Sequence, residues 1–246
     1  GHAVGIPGPD ILRRMQEQAA HYGVPRSTAV VERIEPQGGG FLVHTDAQSW
    51  RTRTIILATG VIDVAPQYPH VKQAVDSGCL RYCPICDGFE AIGKRVAVLG
   101  RGAGGAGEAA FVSHFAEEVM LCSTGDPVVL DDDQRNRLAQ ARVRIVSAPV
   151  RDLVQEGECG MRLVLEGGET VHVDVVYAAL GTLVNSGLAT VLGAQANESG
   201  ELLVDAHQQT NVDGLYAVGD VVHGLNQIAV AMGHAAIAAT AIHNRL

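Results

Sequence analysis

Two cysteines separated by two residues carry the most reactive chemistry in this chain, in the run Tyr82-Cys83-Pro84-Ile85-Cys86-Asp87-Gly88-Phe89-Glu90. That spacing lets Cys83 and Cys86 close a disulfide over a single turn. A helix N-terminus at the pair would stabilise a thiolate and bring the exposed sulfur into its working range. Thiol–disulfide exchange has to move a proton, and a carboxyl group directly after the pair, Asp87, is placed to take or give it. Two other chemistries use cysteines at such spacings. A zinc half-site needs a second pair, whereas Cys122 and Cys159 stand far apart on unrelated elements. With Cys79 the run reads Cys-x3-Cys-x2-Cys, a spacing that holds iron–sulfur clusters in radical enzymes. Those enzymes usually carry an aromatic residue where Ile85 stands. Redox exchange is the stronger reading.

A second candidate is Gly100-Arg101-Gly102-Ala103-Gly104-Gly105, which follows a strand and opens a helix. This is the setting a dinucleotide fingerprint requires. Gly100 permits a tight turn, Gly102 lets the backbone approach a pyrophosphate, and Gly105 lets helix and strand pack closely. About 20 residues further on, such units usually place an acid on the ribose hydroxyl or an arginine on the extra phosphate of NADP. Here the next strand ends in Cys122-Ser123-Thr124-Gly125, which offers neither. The pattern therefore predicts that NADPH binds no better than NADH.

The elements that must hold these motifs alternate. Ile11, Leu12, Met15, Ala19 and Tyr22 recur at helical spacing between Pro9 and Gly23. Strand-like runs follow at Thr28–Glu35, Phe41–Thr45 and Thr54–Ala58, and a Pro-bearing connector at Ala65–Pro69. Strand and helix then take turns: Val96–Leu99, Ala103–Phe115, Val119–Cys122, Asp131–Ala141. Strands are expected at Val143–Val146, Arg162–Leu165, Val171–Ala179, Leu202–Val204 and Leu215–Val218, before an Ala-rich helix from Gln227 to about Asn244. Such alternation implies parallel sheets with helices on their faces. A net charge of -9 speaks against nucleic acid or anionic membrane as partners. The apolar stretch Ile228–Ile242 is broken by Gly233 and His234 and is too short to span a bilayer. The start lacks a secretory pattern, and five cysteines, an odd number, do not form a disulfide framework. A reducing cytoplasm is the expected compartment.

The order of motifs resembles the low-molecular-weight thioredoxin reductases, class II pyridine nucleotide-disulfide oxidoreductases. An Ala58-Thr59-Gly60 strand end is followed by Cys-x-x-Cys-Asp-Gly, then a strand with GxGxxG, then Tyr216-Ala217-Val218-Gly219-Asp220. The resemblance spans essentially the whole chain. It implies an α/β fold of two Rossmann-like domains with a three-layer sheet architecture, the second inserted in the first. Residues 1–67 and 182–246 would form the FAD domain, and 68–181 the inserted NAD(P)-type domain carrying the cysteines. The family's opening βαβ unit, with its own GxGxxG, is not found, so a piece of a longer protein is expected.

The resemblance also implies roles. Cys83 becomes the interchange thiol, Cys86 the flavin-proximal thiol and Asp87 the acid–base. Thr59, Gly60, Gly219, Asp220, Asn226, Gln227 and Ile228 fall where the family contacts FAD, though the family more often has Arg-Gln-Ala at the last three positions. The family's phosphate-gripping His-Arg-Arg aligns with Cys122-Ser123-Thr124, which places the chain nearer a subset that draws electrons from ferredoxin or another donor. The implied activity is FAD-dependent reduction of thioredoxin or a thioredoxin-like disulfide by a homodimer. An oxidase passing electrons from a dithiol to oxygen is the main rival; such oxidases tend to carry histidine where Asp87 stands. A non-catalytic nucleotide-binding piece is the reading from another class.

Overall fold

The computed structural model describes residues 5–157 and 159–246. Residues 1–4, where the expected FAD-binding segment begins, and Glu158 lie outside the described residues.

Helix α1 (Gly8–His21) starts after an extended Pro7 and ends before Gly23, which takes a left-handed conformation at φ 67°. An antiparallel meander follows, β1 (Val31–Gln37), β2 (Gly40–Thr45) and β3 (Ser49–Thr52), and then β4 (Ile55–Leu57). The chain continues through β5 (Val61–Asp63), α2 (Val71–Asp76), β6 (Leu80–Arg81), the one-turn helix α3 (Pro84–Asp87) and a 3-10 turn at Gly88–Ala91. Next come β7 (Arg95–Gly100), α4 (Gly102–Val112), β8 (Glu118–Cys122), α5 (Asp132–Gln140) and β9 (Arg144–Ile145). Helix α5 is started by a capping box: the Asp131 carboxylate accepts from the Gln134 amide, and the Gln134 side chain accepts from the Asp131 amide. The remainder is β10 (Val150–Gln155), β11 (Met161–Leu165), β12 (Thr170–Val173), β13 (Val175–Ala179), β14 (Thr182–Val184), α6 (Gly187–Thr190), β15 (Leu215–Ala217), a 3-10 turn at Gly219–Val221 and α7 (Ile228–Arg245).

Two compact units result. One holds Thr59–Asn185 with Glu198–Glu201; the other holds the chain up to Ala58 with Ser186–Asn197 and Leu202–Leu246. The first is a three-layer unit. Its middle layer is a parallel sheet in the order β6-β13-β7-β8-β9. Alternate residues feed two cores. Ala97, Leu99, Met120 and Val176 pack against Leu153, Met161 and Leu163 of the antiparallel sheet β10-β11-β12. Val96, Val98, Leu121 and Tyr177 pack against Ala106, Ala109 and Val112 of α4 and Leu138 of α5. In the second unit β4 and β15 pair in parallel, and Tyr216 and Val218 pack on Ala238 of α7.

Two expected strands differ. The run Val171–Ala179 is not one strand but two, β12 and β13, in different sheets. Its apolar continuity hides the break at Asp174, whose carboxylate accepts from the Arg95 amide while its own N–H donates to the Arg95 carbonyl. Leu202–Val204 is not a strand: Leu202 makes only isolated bridges to Ala196 and Val222, because no long neighbour runs beside it.

Candidate redox and nucleotide site

Cys83 caps α3, and Pro84 follows as its first residue, where the fixed φ of proline is already helical. The Cys83 carbonyl accepts from the amides of Cys86 and Asp87. This turn brings the two cysteines to a Cα separation of 5.3 Å, and they form a disulfide. Asp87 closes the same turn.

The turn is held from the sheet beneath. Arg81 of β6 and Tyr177 of β13 are paired neighbours in the parallel register. The Tyr177 hydroxyl donates to Asp87 Oδ1 at 2.6 Å. Arg81 Nη1 lies 2.9 Å from Glu90 Oε2 and 3.5 Å from Asp87 Oδ2. Its Nε donates to the Gly78 carbonyl. Tyr177 is fully buried. Burial, then its hydrogen bond to Asp87 and the charge there, push the phenol well above its ordinary range. It therefore remains a neutral donor at working pH. Around the disulfide Ile85, Phe89 and Ile92 expose apolar side chains. By contrast burial pushes the Cys122 thiol up to about 12, although Arg144 pulls the other way, so that cysteine is an inert core residue.

Gly100, Gly102 and Gly105 form the turn from β7 into α4. A β-carbon on Gly100 would meet the Gly105 Cα at 2.7 Å, so only glycine allows this approach. Gly102 takes φ 57°. Beside the turn lies a cavity of about 480 Å³ lined by Tyr68, Arg101, Thr124, Gly125, Arg151 and Glu166 among others. No ion pair engages Arg101 or Arg151 among the described residues. Further along α4, burial and then the charge of Asp63 raise Glu108 to about 7, and its buried Oε2 lacks a hydrogen-bond partner. Spacing did not single out Glu108; an acid on the second turn of a helix of small residues was the available signal.

The FAD candidates fall in both units. Thr59 and Gly60 belong with the redox unit, where the Thr59 hydroxyl donates to the Asn185 carbonyl and the Gly60 carbonyl accepts from the Asn185 amide. Gly219, Asp220, Asn226, Gln227 and Ile228 gather in the other unit, at the end of β15 and the start of α7. Gln227 is the N-cap of α7 and gives it no side-chain cap, so the first amides, starting at Ile228, lack intrahelical acceptors. Asn226 Oδ1 is buried without a partner. Gly219 turns at φ 71°. Free amide donors beside an unpaired carbonyl oxygen suit a ring that carries both carbonyl and N–H groups, as isoalloxazine does. These residues fit FAD.

Fold and site define a disulfide oxidoreductase built on nucleotide-binding units. The chain belongs to the pyridine nucleotide-disulphide oxidoreductase family, which it matches over residues 14–235. Within it the chain is a thioredoxin-reductase-like flavoprotein, and FAD is the cofactor of that group. It is 28% identical to the thioredoxin reductase of Coxiella burnetii over 97% of this chain and 79% of that protein. It is 29% identical to an alkyl hydroperoxide reductase component of Xanthomonas campestris pv. phaseoli, over 97% of this chain but 47% of the relative. It thus spans about half the length of that protein. The thioredoxin reductase from Streptococcus pyogenes shares the fold at a TM-score of 0.89 and 24% identity, covering 99% of this chain and 82% of that one. No helix among the described residues is long and apolar enough to cross a membrane.

Proposed function

We propose that this chain reduces a protein disulfide, on thioredoxin or a thioredoxin-like partner, through Cys83 and Cys86. The observation that carries the reading is the Cys83–Cys86 disulfide on a single helical turn that ends in a carboxylate held by the sheet. In the dithiol state the Cys83 thiolate attacks a sulfur of the partner disulfide. That S–S bond breaks, and the departing partner sulfur takes a proton from Asp87. Cys86 then gives its proton to the Asp87 carboxylate and attacks Cys83 Sγ, which re-forms the intramolecular disulfide; the partner's second sulfur leaves as a thiolate and takes a proton from water, freeing the partner as a dithiol. FAD, when bound, supplies the two electrons that return the disulfide to a dithiol. The apolar side chains of Ile85, Phe89 and Ile92 give a protein partner a surface beside the sulfurs.

The domain roles belong to this proposal: residues 1–67 with 182–246 bind FAD, and 68–181 form the inserted NAD(P)-type domain. Thr59, Gly60, Gly219, Asp220, Asn226, Gln227 and Ile228 contact FAD, and Gly100, Gly102 and Gly105 cradle a dinucleotide or its remnant. A homodimer in the cytoplasm completes the reading; three cysteines outside any disulfide suit a reducing compartment. The test uses the full-length flavoprotein without oxygen. Turnover of thioredoxin disulfide supports the reading. Release of hydrogen peroxide from a dithiol in air, with no disulfide reduction, favours the oxidase instead, and ferredoxin, NADPH and NADH are compared as donors.

A further inference from the structure

A buried tyrosine ordinarily satisfies its hydroxyl on a nearby main-chain carbonyl. Tyr177 does not. Its one proton goes to Oδ1 of Asp87, the carboxyl next to the disulfide. The sheet fixes this choice, because Tyr177 and Arg81 occupy paired positions on adjacent parallel strands. Arg81 stands beside the tyrosine on the adjacent strand, and its charge is divided between Glu90 and Asp87. Among the described residues, the charged and titratable groups set against Asp87 are Arg81 from β6, Tyr177 from β13 and, through Arg81, Glu90 of the next turn, while the two cysteines share its own turn.

We propose that Tyr177, backed by Arg81, is a positioning residue for the acid–base carboxylate of the dithiol site, holding Asp87 in place with a donor aimed at Oδ1. This deepens the redox reading of Cys83 and Cys86 and rests on it. In exchange, a thiolate attacks the disulfide, one S–S bond breaks as another forms, and the sulfur that leaves takes a proton. When Asp87 gives that proton, a negative charge appears on its carboxyl group. The Tyr177 hydroxyl at Oδ1 and the Arg81 guanidinium near Oδ2 are already aimed at that charge. The phenol cannot leave, because it sits in a core of β7, β8 and α4 side chains. Oδ1 is thereby committed to Tyr177, while Oδ2 has only the more distant Arg81 guanidinium, at 3.5 Å, beside it.

The test needs neither flavin nor a partner protein. The chain is reduced with dithiothreitol, and alkylation of Cys83 and Cys86 by iodoacetamide is followed against pH by peptide mass spectrometry, which separates them from the exposed Cys159. Tyr177→Phe keeps the ring and its packing but removes the donor. The inflections of the profile are expected to move to higher pH by about one unit, the size of one lost charge-assisted hydrogen bond. In an Asp87→Asn background the same substitution is expected to change nothing, because the effect acts through that carboxyl. A merely structural tyrosine would lower the melting temperature without moving the profile. An unchanged profile in Tyr177→Phe, or an equal shift in the Asp87→Asn background, overturns the proposal and leaves the redox reading standing. A wild-type pair that does not cycle between disulfide and dithiol in dithiothreitol overturns that reading, and this proposal with it.

Discussion

A β-carbon on Gly105 would fall 2.7 Å from the carbonyl carbon of Gly100, so α4 meets β7 backbone to backbone. Gly105→Ala must push the helix away from the sheet and is expected to destabilise the chain by about 1–3 kcal/mol, as overpacking does. Gly107, on the same helix, has open space around its α-carbon. Gly107→Ala should stabilise by about 0.5–1 kcal/mol through helix propensity alone. Urea unfolding of both variants checks the contrast; equal effects in the two would mean the close contact is not limiting.

Replacing Cys83 with Ser should abolish disulfide turnover by the full-length flavoprotein while leaving flavin bound. Replacing Cys86 should also abolish turnover, and should in addition change the absorbance of the reduced flavin, because that sulfur is assigned the flavin-proximal place. Near-normal turnover in either variant would show that the pair is not the working dithiol.

Glu108 makes stability depend on pH. Its carboxyl is raised in the fold to about 7, by burial first and then by Asp63. At low pH it is protonated in both folded and unfolded chains and has no effect. As pH climbs from the ordinary carboxylate range to about 7, the unfolded chain ionises first, so stability is lost over that window and the loss is complete above it. Water screens this half-buried group, leaving about 1 kcal/mol. Glu108→Gln should match wild type near pH 4 and melt about 2–4 °C higher near pH 8. Thermal melts at the two pH values decide it.

The cavity beside the glycine turn sets two arginines, Arg101 and Arg151, against Glu166. No basic residue occurs in Cys122-Ser123-Thr124-Gly125, where β8 ends, so NADPH should reduce the flavin no faster than NADH. Removing the carboxylate with Glu166→Gln should favour NADPH selectively, by about tenfold, equivalent to about 1.4 kcal/mol. Stopped-flow bleaching with each nucleotide measures this. A strong NADPH preference in wild type would show that Arg101 and Arg151 already outweigh Glu166.

The disulfide, its neighbouring acid and the glycine turn were legible in the sequence because each is local: a few residues at fixed spacing on one turn. Strand and helix alternation likewise announced the parallel sheet. What stayed hidden depends on strand order. Tyr177 reads as one more core aromatic until β13 is placed beside β6, and Arg81 reads as a surface charge in a two-residue strand. The break at Asp174 was masked by valines on both sides, which periodicity joins into one strand. Glu108 was passed over because helical spacing marks a face and says nothing about how deeply that face is covered.

Arg81 and Tyr177 are neighbours only through the pairing of β6 with β13, and Tyr177 lies 90 positions along the chain from the aspartate it serves. The two serve one carboxyl group: without the phenol Oδ1 loses its donor, and without the guanidinium Oδ2 and Glu90 lose their cation. Descent should therefore treat the two as a single heritable unit. Lineages that trade the tyrosine for phenylalanine are expected to trade the arginine as well, so distant positions in the gene keep a common history that no local motif records.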